Sequence, residues 1–182
     1  MRAILTGEWT MVSTQFRRMG WVSGVLATFA VAWWSQGAFV FGAAEPEDPA
    51  LARTRAQVKM LDDLFKVAVV DITNRYDGPP AAKVAKVIFG AAKEKGYFDA
   101  KLLDATGNPQ NEANVAKDAF EKKAAAAMVK GETYIEEVVG TGKNRRLRAA
   151  TLVPAVTVKC AKCHGVNKGD MLGFLSYDVP VQ

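Results

Sequence analysis

The sequence predicts an α+β chain in which helices flank one antiparallel sheet. Three observations carry this prediction. Apolar residues recur at helical spacing in three segments: Thr54–Tyr76, the stretch after Pro80, and about Ala113–Lys130. The period then falls to two in Thr133–Val139, Arg145–Val153 and Leu172–Val181. Gly, Pro, Asn and Asp punctuate the joints between segments. With 182 residues, 49% hydrophobic and 24% charged, the chain has material for one packed core and little more.

Taken in order, residues 1–44 read as a signal peptide or an uncleaved membrane anchor. Arg17 and Arg18 precede an uncharged run from Met19 to Ala44, which ends in the small residues Gly42, Ala43 and Ala44. Cleavage after Ala44 is the favoured outcome, because Ser35, Gln36 and Gly37 interrupt the apolar run. An uncleaved span is the rival, since the run is long enough to cross a bilayer. Met11 is a second candidate start. Either outcome places the remainder in the periplasm, free or held at the inner membrane.

Residues 45–53, with Pro46 and Pro49, are expected to be a linker, and residues 54–182 the folded domain. In the first helix Val58, Leu61, Phe65, Ala68 and Ile72 form the inward face, and Asp77-Gly78-Pro79-Pro80 stops it. The second is expected to bury Val84, Val87, Ile88 and Ala91, closing at Lys93, Lys95 and Gly96. Tyr97–Asp104 is a strand followed by a turn through Pro109. The third helix presents Ala116, Phe120, Ala124, Ala127 and Met128 on one side. Thr133–Val139 and Arg145–Val153 form a hairpin through Gly140–Asn144, and Leu172–Val181 is the last strand.

Outside residues 1–44 the chain carries 21 Lys and Arg against 18 Asp and Glu, a mild and well-mixed balance of +3. That argues against nucleic acid as a partner. The chemistry concentrates in Cys160-Ala161-Lys162-Cys163-His164. These are the only two cysteines and the only histidine in the chain. The pattern is that of c-type haem attachment: two thiols add across the porphyrin vinyl groups and the adjoining imidazole reaches the iron. A structural zinc site needs four protein ligands, and three are present. A thioredoxin-like pair belongs near the start of a βαβ unit, and this one follows a hairpin. A plain disulfide leaves the histidine unexplained.

His164 is then the expected proximal ligand to one covalent haem c. On the distal side the familiar candidates are Met60, Met128 and Met171, with Met60 first among them. Core packing is the ordinary role of each, and an iron without methionine is an equal expectation. Arg146 and Arg148, beside Arg145, are candidates for pairing with the haem propionates; their ordinary role is to guard a strand edge with charge. Tyr134 and Tyr177 are candidate pocket aromatics whose ordinary place is the core. No pairing of carboxylates with the committed histidine suggests hydrolysis.

The stretch Asn114-Val115-Ala116-Lys117-Asp118-Ala119-Phe120-Glu121 is followed by Gly131-Glu132-Thr133-Tyr134 and by Arg148-Ala149-Ala150-Thr151 with Pro154. Together with Cys160–Gly165 and Leu172-Gly173-Phe174-Leu175-Ser176-Tyr177, these resemble the haem-c-binding domains of PAS-like fold long carried as a domain of unknown function. The resemblance runs from about Val58 to Val181. It implies an antiparallel sheet flanked by helices, one covalent haem on Cys160, Cys163 and His164, and a part in redox or small-ligand sensing or in electron transfer. It also implies a redox partner protein, a membrane-bound sensor or a respiratory component, and a small gas as a candidate ligand. Some members place a cysteine on the distal side near the N-terminal helix, and this chain has none there. Two other readings compete: an all-helical protein resembling cytochrome c prime, and a haem oxidase resembling cytochrome P460, which needs a lysine–porphyrin crosslink.

Overall fold

A computed structural model describes residues 47–78 and 80–182. The expected signal or anchor segment, 1–44, lies outside the described residues. Helix α1 spans Pro49–Arg75, so most of the expected linker is helix. Asp48 explains the difference: its side chain accepts the Ala50 N–H at 2.9 Å, and Pro49 suits the first helical position, where no N–H is needed. Val58 is buried, with Leu61, Phe65 and Val69 packed around the same core. The helix ends where Tyr76 turns extended, just before Asp77 and Gly78.

Helix α2, Ala81–Glu94, buries Ala81, Ala85, Phe89 and Ala92 rather than the expected Val84, Val87, Ile88 and Ala91. Both faces are apolar in sequence, and the single aromatic decides between them. Phe89 meets Phe65 edge-on, with ring centroids 4.8 Å apart, a contact worth about 1 kcal/mol beyond its buried area. Val87 is left 73% exposed.

Strand β1, Asp99–Leu103, leads through a polar loop and a 3₁₀ turn at Glu112–Asn114 to helix α3, Ala119–Val129. α3 starts later than its apolar spacing suggests, because Asp118 and Glu121 form a reciprocal capping box that fixes its first turn. Phe120, Ala124 and Met128 are its buried face. Strand β2, Tyr134–Val139, and strand β3, Arg146–Pro154, pair antiparallel from Tyr134↔Thr151 to Val139↔Arg146, the expected hairpin. Gly140 in that connection has φ +76° and lies so close to the Asn144 carbonyl that a Cβ would collide with it. Helix α4, Val158–His164, and strand β4, Met171–Pro180, complete the domain.

The sheet order is β1-β4-β3-β2, every pair antiparallel. α1 lies over β3 and β4 and α2 over β1, on one face, while α3 packs on the other. Side-chain alternation divides the core accordingly. Leu147, Ala149, Leu175, Tyr177 and Val179 face α1 and α2, whereas Ala150 and Phe174 face α3. The expected α+β class, with an antiparallel sheet flanked by helices, is the observed one. Its four strands exclude the all-helical alternative.

Candidate functional site

The Cys160–His164 segment lies in α4, in the connection from one central strand, β3, to the other, β4. Thr157 caps it. The Thr157 hydroxyl oxygen accepts the Cys160 N–H at 3.1 Å, and its O–H lies 3.0 Å from Cys160 Sγ. Gly165, with φ +68°, ends the helix in the left-handed conformation. Spacings of three and four residues put Cys160, Cys163 and His164 on neighbouring positions of one helical face. Both cysteines are free thiols; Cys160 is half-buried and Cys163 exposed, as is His164.

α4 is tied down on both sides. Lys159 Nζ donates to the Tyr76 carbonyl at 3.3 Å and to Asp77 Oδ1 at 2.9 Å, clasping it to the end of α1. This ion pair holds the Asp77 carboxyl below the usual carboxylate range. Gln110 Nε2 reaches the Cys163 carbonyl at 3.5 Å from the loop after β1. Reciprocal backbone bonds, Ala155 N–H to the Asp170 carbonyl and Gly169 N–H to the Ala155 carbonyl, close the loop that returns to β4.

Two cavities border this segment. One, of about 360 Å³, is apolar and is lined by Phe65, Val69, Phe89, Leu102 and Leu175, with Cys160 at its wall. Its polar lining is Lys66, Thr133 and Cys160. The other, of about 350 Å³, contains His164 and Met171, with Asp104, Asn108, Gln110 and Asn114 at its polar side. Val69, Leu102, Val153 and Leu172 line both, so the two share a wall. The strand side of the second cavity is drawn close by Gly173, where a Cβ would sit within 2.2 Å of the Leu103 carbonyl.

The structure redistributes the other candidates. Met60 is 55% exposed, one helical step from Leu61 and turned away from the face that carries Phe65 and Val69, so it does not approach α4. Met128 is buried in the core beneath α3, on the far face of the sheet. Met171 shares a cavity with His164. Arg146 and Arg148 sit at the opposite end of β3 from α4 and have other partners. Arg146 Nε donates to Asp178 Oδ1 at 2.5 Å. Arg148 pairs with Asp118 at 2.7 Å and lies over the Phe120 ring, 4.6 Å from its centroid. Both project to the α3 side, where strand alternation turns them away from the two cavities beside α4.

Tyr134 is exposed and donates to Glu136 at 2.5 Å. Tyr177 is fully buried, and its hydroxyl donates to Asp62 Oδ1 at 3.2 Å. Burial, with Asp62 beside it, holds the phenol well above its ordinary range. Thr151 donates to the same carboxylate oxygen at 2.5 Å, and Lys66 donates to Asp62 Oδ2 at 2.8 Å. This knot of Asp62, Lys66, Thr151 and Tyr177 was not anticipated from sequence. Its one trace there is the Asp62–Lys66 spacing of four, an ordinary helical ion pair.

A sequence model of the Tll0287-like family (Tll0287) matches residues 7–174. The chain belongs to that family. Among solved structures this family member is similar to one described as the crystal structure of the cyanobacterial heme-protein Tll0287. The identity is 16%, the match covers 75% of this chain and 97% of that chain, and the TM-score is 0.47. No curated protein matches this family member.

Proposed function

We propose that the chain binds one haem covalently, through thioether bonds from Cys160 and Cys163, with His164 as axial ligand, and acts outside the cytoplasm in electron transfer or in redox or small-ligand sensing. The observation that carries this reading is the placement of two free thiols and the sole imidazole on one face of α4, between two cavities that share an apolar wall. The donor set fits the group: thiols for vinyl addition and an imidazole for iron. The cavities, at about 360 and 350 Å³, are each of the size that holds a small organic ligand or a large part of a cofactor. Membership of a family named for a protein described as a heme-protein agrees with it.

A haem held there would supply one-electron chemistry or an iron site for a small ligand. The chain's own contribution is positional. Thr157 fixes the first turn of α4 and the orientation of Cys160, while Lys159 holds the helix against α1. Phe65, Val69, Leu102 and Leu175 give the cavity an apolar lining, which would lower the dielectric around a bound haem and so tune its potential. The uncharged run after Arg17 and Arg18 supports export.

The test is expression with a periplasmic haem-attachment system, followed by a denaturing gel stained for haem and a visible spectrum of the reduced protein with and without carbon monoxide. Haem that stays with the polypeptide through denaturation, and is lost in the Cys160→Ala/Cys163→Ala double variant, is the expected result. Haem retained by the double variant would refute the attachment. A spectrum indifferent to carbon monoxide favours electron transfer, and a prompt shift favours ligand sensing.

A further inference from the structure

We propose that α1 pairs antiparallel with α1 of a second copy of this chain, making a two-fold dimer. The inference stands apart from the haem reading, because the face it uses points away from the core that Val58, Phe65 and Val69 enter. Along α1 the exposed residues Arg53, Gln57, Met60, Leu64, Val67 and Asp71 recur at steps of four and three. At about 100° per residue they fall within about 40° of one line along the helix, the narrow seam by which two helices pack together. Met60, Leu64 and Val67, the apolar members, are each more than half exposed. Single exposed apolar residues are ordinary; three in succession along one line, closed by polar residues at both ends, make a patch. A helix apolar on opposite sides is normally covered on both, and among the described residues α1 has only its inner side covered.

The seam identifies its own partner. Reversed about its midpoint, it sets Arg53 against Asp71, Gln57 against Val67 and Met60 against Leu64, so every member meets another member. That is the self-complementarity a two-fold interface requires. The basic end of one seam then lies on the acidic end of the other, twice over, at points five turns or about 27 Å apart. A parallel pair would put Arg53 on Arg53 and Asp71 on Asp71, like charge on like. Both groups can take part, since their present contacts are exposed: Arg53 donates to the Gln182 carbonyl at 3.0 Å, and Asp71 accepts from Arg75 one turn on at 2.5 Å. Exposed ion pairs bring little affinity, so Met60, Leu64 and Val67 supply the attraction and the charges select the direction.

Sedimentation velocity over a range of concentrations tests this on the periplasmically expressed protein, with far-UV circular dichroism to check that each variant is folded. The set is wild type, Leu64→Lys, Arg53→Asp, Asp71→Arg and the combined Arg53→Asp/Asp71→Arg. The expected result is a reversible dimer in wild type and a folded monomer in Leu64→Lys. Each single charge reversal turns two attractions into two repulsions and raises the dimer dissociation constant about tenfold. The combined reversal restores the opposite pairing and returns the constant to within about twofold of wild type. That variant carries both local changes on α1, so its recovery has no local explanation. Wild-type protein that stays monomeric at every concentration overturns the proposal, whatever else covers the seam. So does a dimer indifferent to Leu64→Lys, which would use another face. A dimer that the combined reversal leaves as weak as the single ones overturns the antiparallel pairing.

Discussion

Replacing Asp62 by alanine tests how α1 is fastened over the sheet. In the native protein one carboxylate oxygen takes two O–H donors, from Thr151 and Tyr177, and the other takes Lys66. Tyr177 is fully buried and Thr151 is 5% exposed, so neither hydroxyl finds water when the acceptor goes. An orphaned buried hydroxyl costs about 1–3 kcal/mol. The Lys66 pair is partly exposed and adds a few tenths at most. Asp62→Ala is therefore expected to cost about 2–4 kcal/mol, most of it carried by the two hydroxyls. Urea unfolding followed by circular dichroism reads this as a fall in midpoint at unchanged slope. A second substitution separates the cause from general disruption. Tyr177→Phe is costly in the native background but close to neutral in the Asp62→Ala background, where the orphan hydroxyl is already a liability. A loss below about 1 kcal/mol, or an equal cost of Tyr177→Phe in both backgrounds, refutes the reasoning.

Two further outcomes follow from local geometry. Glu121 is 1% exposed; burial alone would raise its carboxyl, but the Lys101 ammonium and the backbone N–H groups of Lys117 and Asp118 outweigh that and hold it below its usual 4.5. Its contribution is thus present above about pH 4.5 and is lost as pH falls through the depressed value, so Glu121→Gln should flatten the decline of the urea midpoint in acid; an unaltered decline contradicts this. Thr157→Ala should lower the stability of α4 by about 1 kcal/mol and Thr157→Ser by much less, read as faster hydrogen exchange of the Cys160 and Ala161 amides; equal exchange in both variants would show that the cap is idle.

Much of the fold was legible because its signals are periodic. Alternation located β2, β3 and β4, and the inward face of α1 followed from Val58, Leu61 and Phe65. Cys160–His164 stood out because the spacing admits few chemistries. The errors came where sequence offered two equivalent choices. α2 is apolar on both sides, and only the contact of Phe89 with Phe65 selects one. Arg146 and Arg148 look close to the motif in sequence, but five residues of extended strand lie between Arg148 and Pro154. Met60 was chosen for being a methionine on a helix, although a position next to Leu61 lies some 100° around the axis from it. The knot at Asp62 gave no sign either, because an Asp–Lys spacing of four is commonplace on any exposed helix face, and the Thr151 and Tyr177 donors come from distant strands.

The order of the strands has a consequence for how the domain is made. β4 comes last in sequence among the described strands, yet it lies between β1 and β3 and is the only strand that β1 pairs with. A chain emerging from its N-terminus must therefore hold β1 unpaired across some seventy residues, which favours late, all-at-once closure. The Cys160–His164 helix emerges just before that closing strand. Until the final ten-residue strand arrives, the thiols stand at the mouth of a half-built sheet; afterwards Leu172 and Leu175 complete the cavity wall beside Cys160. Assembly order, as much as shape, decides when this helix is enclosed.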